Sequence, residues 1–258
     1  MEFENVLYEV KDGILYLTLN RPEARNALSP EMWRDITAAV QAARVDDSIR
    51  VVIVSHTGDK ALASGADIRE LHERYYMLQM LGTATEALQA LENLNKPTIC
   101  AINGFALGGG CELALACDLR LASSSAKLGL PEITLGIMPG AGGTVRLACL
   151  VGPARAKEMI FMGRPVDAER ALQWGLVNAV VPAEEFEAEV AKWTQRVLRQ
   201  SRVAMTTAKA AVDGGMLLEP GAALARETLL WAGLFDSYDQ KEGMRAFLEK
   251  RKPVFEDR

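Results

Sequence analysis

Residues 98–122 read TICAINGFALGGGCELALACDLRLA. Thr98 to Ile102 is a short run with no charged face, the pattern of a strand covered on both sides. A glycine-rich loop, 104–110, leads into an apolar segment from Cys111 to Cys117, and Asp118 to Ala122 reads as a second strand. Strand, helix and strand in so short a stretch call for a parallel pair joined by a crossover.

The flanking sequence extends that unit in both directions. Val51-Val52-Ile53-Val54 is apolar on both faces and reads as another inner strand, while Val6 to Val10 and Ile14 to Leu19 flank Asp12-Gly13, a strong hairpin signal. Ser29-Pro30-Glu31 supplies an N-cap, a first-turn proline and a first-turn acid for a helix carrying Met32, Ile36, Ala39, Val40 and Ala43. Ile68 to about Asn93 reads as a long helix weakened at Gly82, and Lys127 to Leu130 as a short segment. From Gly142 helices dominate, with one strand near Leu176 to Val181. Beyond Glu185 the pattern is helical to the end, with breaks at Gly214-Gly215, Pro220-Gly221 and Gly233. Apolar stripes on the last two helices could close over the core or pack against another subunit. The expected class is α/β, a mainly parallel sheet stacked on helices.

Composition narrows the function. The chain has 258 residues, 49% hydrophobic and 24% charged, enough for one large domain or two modest ones. Its net charge of −5 argues against a broad nucleic-acid footprint. The longest uncharged stretch, Pro97 to Cys111, is too short and too broken by glycines to span a bilayer. MEFENVLYEV carries three Glu and no basic residue, unlike a secretory or transit leader, so a cytoplasmic location is expected. Cys100, Cys111, Cys117 and Cys149 lie on apolar stretches without a CxxC spacing, so they read as reduced core thiols and no metal site is expected. Neither histidine, His56 nor His72, adjoins a nucleophile motif.

No P-loop, nucleophile elbow, zincin or EF-hand motif occurs, and Gly140-Ala141-Gly142-Gly143 lacks the dinucleotide fingerprint. Three features remain. Ser64-Gly65-Ala66-Asp67-Ile68 is a small-residue loop at a helix start, and Gly104 to Glu112 is a turn with three consecutive glycines. Two such loops face to face would make a two-donor oxyanion hole. The third is a pair of acids in apolar company, Glu112 and Glu132, where burial raises a carboxyl pKa and suits it to proton transfer near neutral pH. Taken alone, the glycines also fit a plain tight turn, the first loop a helix cap, and each glutamate a solvated or paired position.

Asn20 to Leu28 (NRPEARNAL), the SGADI segment, Asn103 to Asp118 (NGFALGGGCELALACD), Leu128 to Leu147 (LGLPEITLGIMPGAGGTVRL) and the ending from Asp239 to Pro253 together resemble the crotonase (enoyl-CoA hydratase/isomerase) superfamily. The likeness covers essentially the whole chain in family order. It implies a crotonase-type spiral of ββα units over 1–195 and a helical C-terminal trimerisation region over 196–258, forming a homotrimer or a dimer of trimers. The activity implied is hydration of an enoyl-CoA, as in fatty-acid β-oxidation, with no metal or redox cofactor because coenzyme A is part of the substrate.

Residue by residue, the resemblance gives oxyanion donors at the backbone N–H of Ala66 and Gly109 and catalytic carboxyls at Glu112 and Glu132. Glu112 would activate water and Glu132 would exchange the α-carbon proton, with the helix beginning near Gly142 aiming its positive end at the thioester. Coenzyme A would be held around Arg25, Ala27 and Leu28 and by Ala66, Asp67, Ile68 and Arg69, with Phe247 and Lys250 reaching it from a neighbouring subunit. Tyr75, Tyr76, Met77, Met80 and Leu81 are candidates for the acyl pocket. The alternatives are double-bond isomerisation of a 3-enoyl-CoA, a specialised 3-hydroxyacyl-CoA dehydratase and, outside enzymes, RNA binding, which the acidic balance disfavours.

Overall fold

The computed structural model describes residues 2–66 and 82–258 in full and the backbone of 74–81. Asp67, Ile68, Arg69 and His72 lie outside the described residues, as do the side chains of Tyr75, Tyr76, Met77, Met80 and Leu81. The chain divides into two units, Met1–Leu94 with Thr98–Lys192, and Asn95–Pro97 with Trp193–Arg258.

The first unit carries two sheets. Strands β1 (Val6–Lys11), β2 (Ile14–Leu19), β3 (Val51–His56), β5 (Thr98–Ile102), β7 (Leu119–Ser123) and β10 (Ala179–Val181) form a six-stranded sheet in the order β1-β2-β3-β5-β7-β10. Only the β1–β2 hairpin is antiparallel. It turns through Asp12 and Gly13, both at positive φ as a tight two-residue loop requires. Strands β4 (Ala61–Ala63), β6 (Phe105–Leu107), β8 (Lys127–Gly129) and β9 (Val166–Asp167) form a second sheet in the order β4-β6-β8-β9.

The two sheets are built together. Three times the chain lays a strand in the large sheet and, a few residues later, a shorter one in the small sheet: β3 then β4, β5 then β6, β7 then β8. Helical chain follows each pair, at Arg74–Glu92, at Gly109–Leu115 and through the 3-10 turn Pro131–Leu135 to Gly143–Val151. That is a spiral of ββα turns, and the α/β class holds. The central strands are buried on both faces, which is why they read as unbroken apolar runs. The helix Pro30–Val45 is capped by Ser29 Oγ, which accepts the Met32 N–H at 3.2 Å. Such a cap contributes about 1 kcal/mol, and the apolar stripe from Met32 to Ala43 packs into the core.

Several expectations are corrected. The 105–107 stretch is a strand, and the helix after it begins at Gly109 instead of Cys111. Ladder bonds to β4 and β8 outweigh the local glycine content. Cys149 is exposed, whereas Cys100, Cys111 and Cys117 are buried as expected of core thiols.

The second unit carries helices Arg202–Gly215, Pro220–Gly233 and Tyr238–Leu248. Pro220 opens a helix, where its missing N–H costs nothing, instead of breaking one. The chain is not helical to its end. Beyond Leu248 a non-helical tail is held by the last helix: Asp239 Oδ1 accepts the N–H groups of Glu256 and Asp257, and Glu242 pairs with Arg251 and accepts the Val254 N–H. Among the described residues no helix is long and apolar enough to cross a membrane.

Candidate active site

Glu112 lies in the first turn of the Gly109–Leu115 helix, a buried acid among buried neighbours. The helix can sit so deep because residue 110 is glycine: a Cβ there would come 2.5 Å from the carbonyl oxygen of Ala63 on β4. Glu112 Oε1 accepts two backbone hydrogen bonds, from Ala141 N–H and Gly143 N–H, both at 2.8 Å. Burial raises its pKa, while those two donors and the Arg146 charge oppose the rise.

Glu132 enters from the 3-10 turn Pro131–Leu135 and is treated differently. Its Oε2 is buried and has no hydrogen-bond partner among the described residues. Burial pushes its pKa up to about 7, with the Glu112 charge adding to the rise. The result is one carboxyl held in place by amides and one with an unused oxygen and a proton it can exchange near neutrality. Glu132 Oε1 lies over the entry to the Gly109–Leu115 helix, since a Cβ on Gly108 would stand 3.2 Å from it and 3.6 Å from Gly65 Cα.

Ala66 is placed by backbone pairing. Leu28 N–H donates to Gly65 O at 2.9 Å and Ser64 N–H to Arg25 O at 3.1 Å, which ties the 64–66 loop to the 25–28 loop. Asn26, buried and at positive φ, anchors the latter: its Nδ2 donates to Thr57 O and Ala61 O, and its Oδ1 accepts the Arg21 N–H. The signal for Asn26 in the sequence is its type alone: an Asn within a proline-containing loop tolerates a left-handed backbone and bonds locally.

One cavity of ≈ 340 Å³ is lined by Ala66, Gly109, Glu112 and Glu132 together, with apolar walls that include Leu28 and Trp33. The Gly109 N–H belongs to the first helical turn, where no intrahelical acceptor exists. The Gly140–Gly143 stretch lines the cavity at Gly140 and Ala141, but two of its N–H groups go to Glu112, so this helix start serves a side chain as well as facing the cavity. Arg25 and Ala27 sit on the loop that flanks Ala66. In the second unit, Phe247 is exposed and Lys250 follows the last helix with a left-handed backbone. Among the described residues no cluster of His, Cys, Asp or Glu is arranged to hold a metal ion.

Comparison with known proteins agrees with the architecture. The enoyl-CoA hydratase/isomerase family profile matches residues 9–258. The crotonyl-CoA hydratase of Syntrophomonas wolfei is 42% identical over 257 residues, 99% of each chain. The short-chain-enoyl-CoA hydratase of Clostridium acetobutylicum is 40% identical over 256 residues, covering 98% of this chain and 97% of that one. The crystal structure of an enoyl-CoA hydratase from Bacillus anthracis superposes with a TM-score of 0.96 at 35% identity, covering 99% of this chain and 100% of that one. A spiral of ββα turns, matched in sequence and in structure along its full length, makes this chain a member of the enoyl-CoA hydratase/isomerase family, the crotonase superfamily.

Proposed function

We propose that the protein is an enoyl-CoA hydratase, adding water reversibly and syn across the double bond of a trans-2-enoyl-CoA to give a 3-hydroxyacyl-CoA. The carrying observation is the unequal pair of carboxyls lining one cavity, Glu112 held by two amides and Glu132 with its pKa near 7. The thioester oxygen sits between the N–H groups of Ala66 and Gly109, which stabilise the enolate as charge moves onto it. Glu112, as a carboxylate, orients water and takes its proton while the water oxygen bonds the β-carbon. Glu132, as the acid, delivers a proton to the α-carbon, and the reverse steps dehydrate. The two groups share one site, so their titrations belong to the pair.

Coenzyme A is assigned to the Arg25, Ala27 and Leu28 loop and to Ala66, Asp67, Ile68 and Arg69, with Phe247 and Lys250 supplied by a neighbouring copy. A homotrimer, or a pair of trimers, is supported by exposed apolar side chains in the C-terminal unit, among them Leu217, Leu229, Trp231 and Phe247. A short acyl chain is favoured by the names of the two relatives above. A reducing, cytoplasmic setting fits three buried free thiols and one exposed.

The test is turnover of crotonyl-CoA and longer trans-2-enoyl-CoAs in ¹⁸O-labelled water, followed by mass spectrometry. Label in the 3-hydroxyacyl product is expected. Unlabelled 3-enoyl-CoA as the only product would replace hydration with isomerisation.

A further inference from the structure

Arg146 stands behind the turn that holds Glu112. Its Nη1 donates to Ala141 O at 2.8 Å, while Nε and Nη2 reach the two oxygens of Glu92 at 3.1 and 2.7 Å. Glu92 ends the Arg74–Glu92 helix, so the guanidinium ties the turn to a separate element. The packing leaves no slack. A Cβ on Gly142 would run into Arg146 Nη1 and stand 3.1 Å from its Cζ, and a Cβ on Gly143 would stand 2.9 Å from Glu112 Cγ and Oε1. The turn is gripped between the carboxylate that it serves and a guanidinium anchored elsewhere.

The two N–H groups on Glu112 Oε1 belong to the peptides before Ala141 and after Gly142, and the carbonyl of Ala141 lies between them in the chain. Both amides converge on one oxygen, and the carbonyl between them is the one that Arg146 takes. We propose that Arg146, braced by Glu92, is a positioning residue for Glu112: it fixes the Ala141–Gly143 turn so that both amides point at Oε1. A planar fork is suited to this, because it binds the Glu92 carboxylate through two nitrogens and still has a third to donate.

The arrangement also has an electrostatic side. The ionisable groups around Glu112 are Glu132 on the cavity wall, the Cys111 thiol beside it in the chain, whose pKa burial pushes up, and Arg146 with Glu92 behind it. Of these, Arg146 favours the carboxylate form of Glu112. Removing it therefore moves the acid limb of a reaction that needs that carboxylate to higher pH.

The kinetic part of this inference rests on the hydratase reading, and the spectroscopic part does not. For Arg146→Met we expect kcat to fall by about 10- to 100-fold with KM changed by less than about threefold, as misplacement of a base without loss of substrate contacts dictates. Its acid limb should lie at higher pH than in the parent. Arg146→Lys should restore the position of the limb more than it restores kcat, since it returns the charge without the fork. Glu92→Ala, at a partly exposed position, should fold and lower kcat in the same direction by less, while loss of its negative charge leaves the acid limb no higher than in the parent.

Carboxyl ¹³C NMR of the Glu-labelled protein, with Glu112 assigned from Glu112→Gln, should show its titration midpoint raised in Arg146→Met whether or not any substrate turns over. A folded Arg146→Met with parental kcat and an unmoved midpoint would overturn the proposal, as would a loss confined to KM. If Arg146→Met does not fold, Glu92→Ala decides by kcat against KM: a fall in kcat at constant KM supports the brace, and parental kcat overturns it. A parent protein that hydrates no enoyl-CoA would remove the hydratase reading and leave the NMR result to decide the role of Arg146.

Discussion

Gly143 donates its N–H to Glu112 Oε1 at 2.8 Å, and a Cβ at residue 143 would stand 2.9 Å from that same oxygen. The amide and the missing side chain act together, because a donor can come this close to a buried carboxylate only along a bare backbone. Gly143→Ala is therefore expected to push Glu112 out of register. The predicted result is a loss of about 100-fold in kcat with a much smaller loss of stability, checked by steady-state kinetics beside thermal melting. Parental kcat would mean that the turn yields without disturbing the acid.

The two glutamates should fail in the same way when neutralised. Glu112→Gln keeps an oxygen that can accept the Ala141 and Gly143 N–H groups but can no longer take a proton, and Glu132→Gln cannot exchange one. Each variant should lose about 10²- to 10⁴-fold in kcat while binding acyl-CoA nearly as well as the parent, which calorimetric titration can follow. The double variant should be little worse than the poorer single one, as the proposed joint action of the pair requires. A fully active Glu132→Gln would remove that residue from the chemistry.

Glu132 also carries a stability prediction with a definite sign. Its pKa is raised from 4.5 to about 7, so between those values the folded protein keeps a proton that the unfolded chain has released. Stability then falls as pH rises through that window. Glu132→Gln abolishes the penalty. It should be more stable than the parent at pH values above about 7, by about 1–2 kcal/mol once solvent screening at the cavity is allowed for, seen as a higher melting temperature, and the gain should vanish below about pH 4.5. A melting difference that is flat with pH would contradict the raised value.

Much of this was legible in the chain because it was local. Asp12-Gly13 announces its hairpin, Ser29-Pro30 its helix start, and the charge-free runs at Val51–Val54 and Thr98–Ile102 their burial on both faces. Glu112 and Glu132 were visible as acids out of place in apolar segments. What was hidden depends on contacts between distant residues. The strand Phe105–Leu107 is defined by its neighbours β4 and β8, and Arg146 meets Glu92 across 54 residues of chain, so neither leaves a periodic trace. The tail beyond Leu248 is likewise fixed by Asp239 and Glu242 on the preceding helix instead of by its own propensity.

The assembly proposed above can be tested on the C-terminal unit. Leu229 is exposed on the Pro220–Gly233 helix, and Trp231 packs edge-on against Phe235 close by while remaining exposed. Leu229→Glu should shift the sedimentation coefficient from that of a trimer or hexamer toward that of a single chain, because a charge would be buried in an apolar contact. A parent protein that already sediments as a monomer would contradict the assembly.

The proposed chemistry needs two main-chain amides and two carboxyls to act on one thioester. A crystal structure with a bound 3-hydroxyacyl-CoA tests it most directly. The thioester oxygen should lie about 3 Å from the N–H groups of both Ala66 and Gly109, with the α- and β-carbons between Glu132 and Glu112. A thioester bound away from those amides, or a carbon chain that reaches neither carboxyl, would rule that chemistry out.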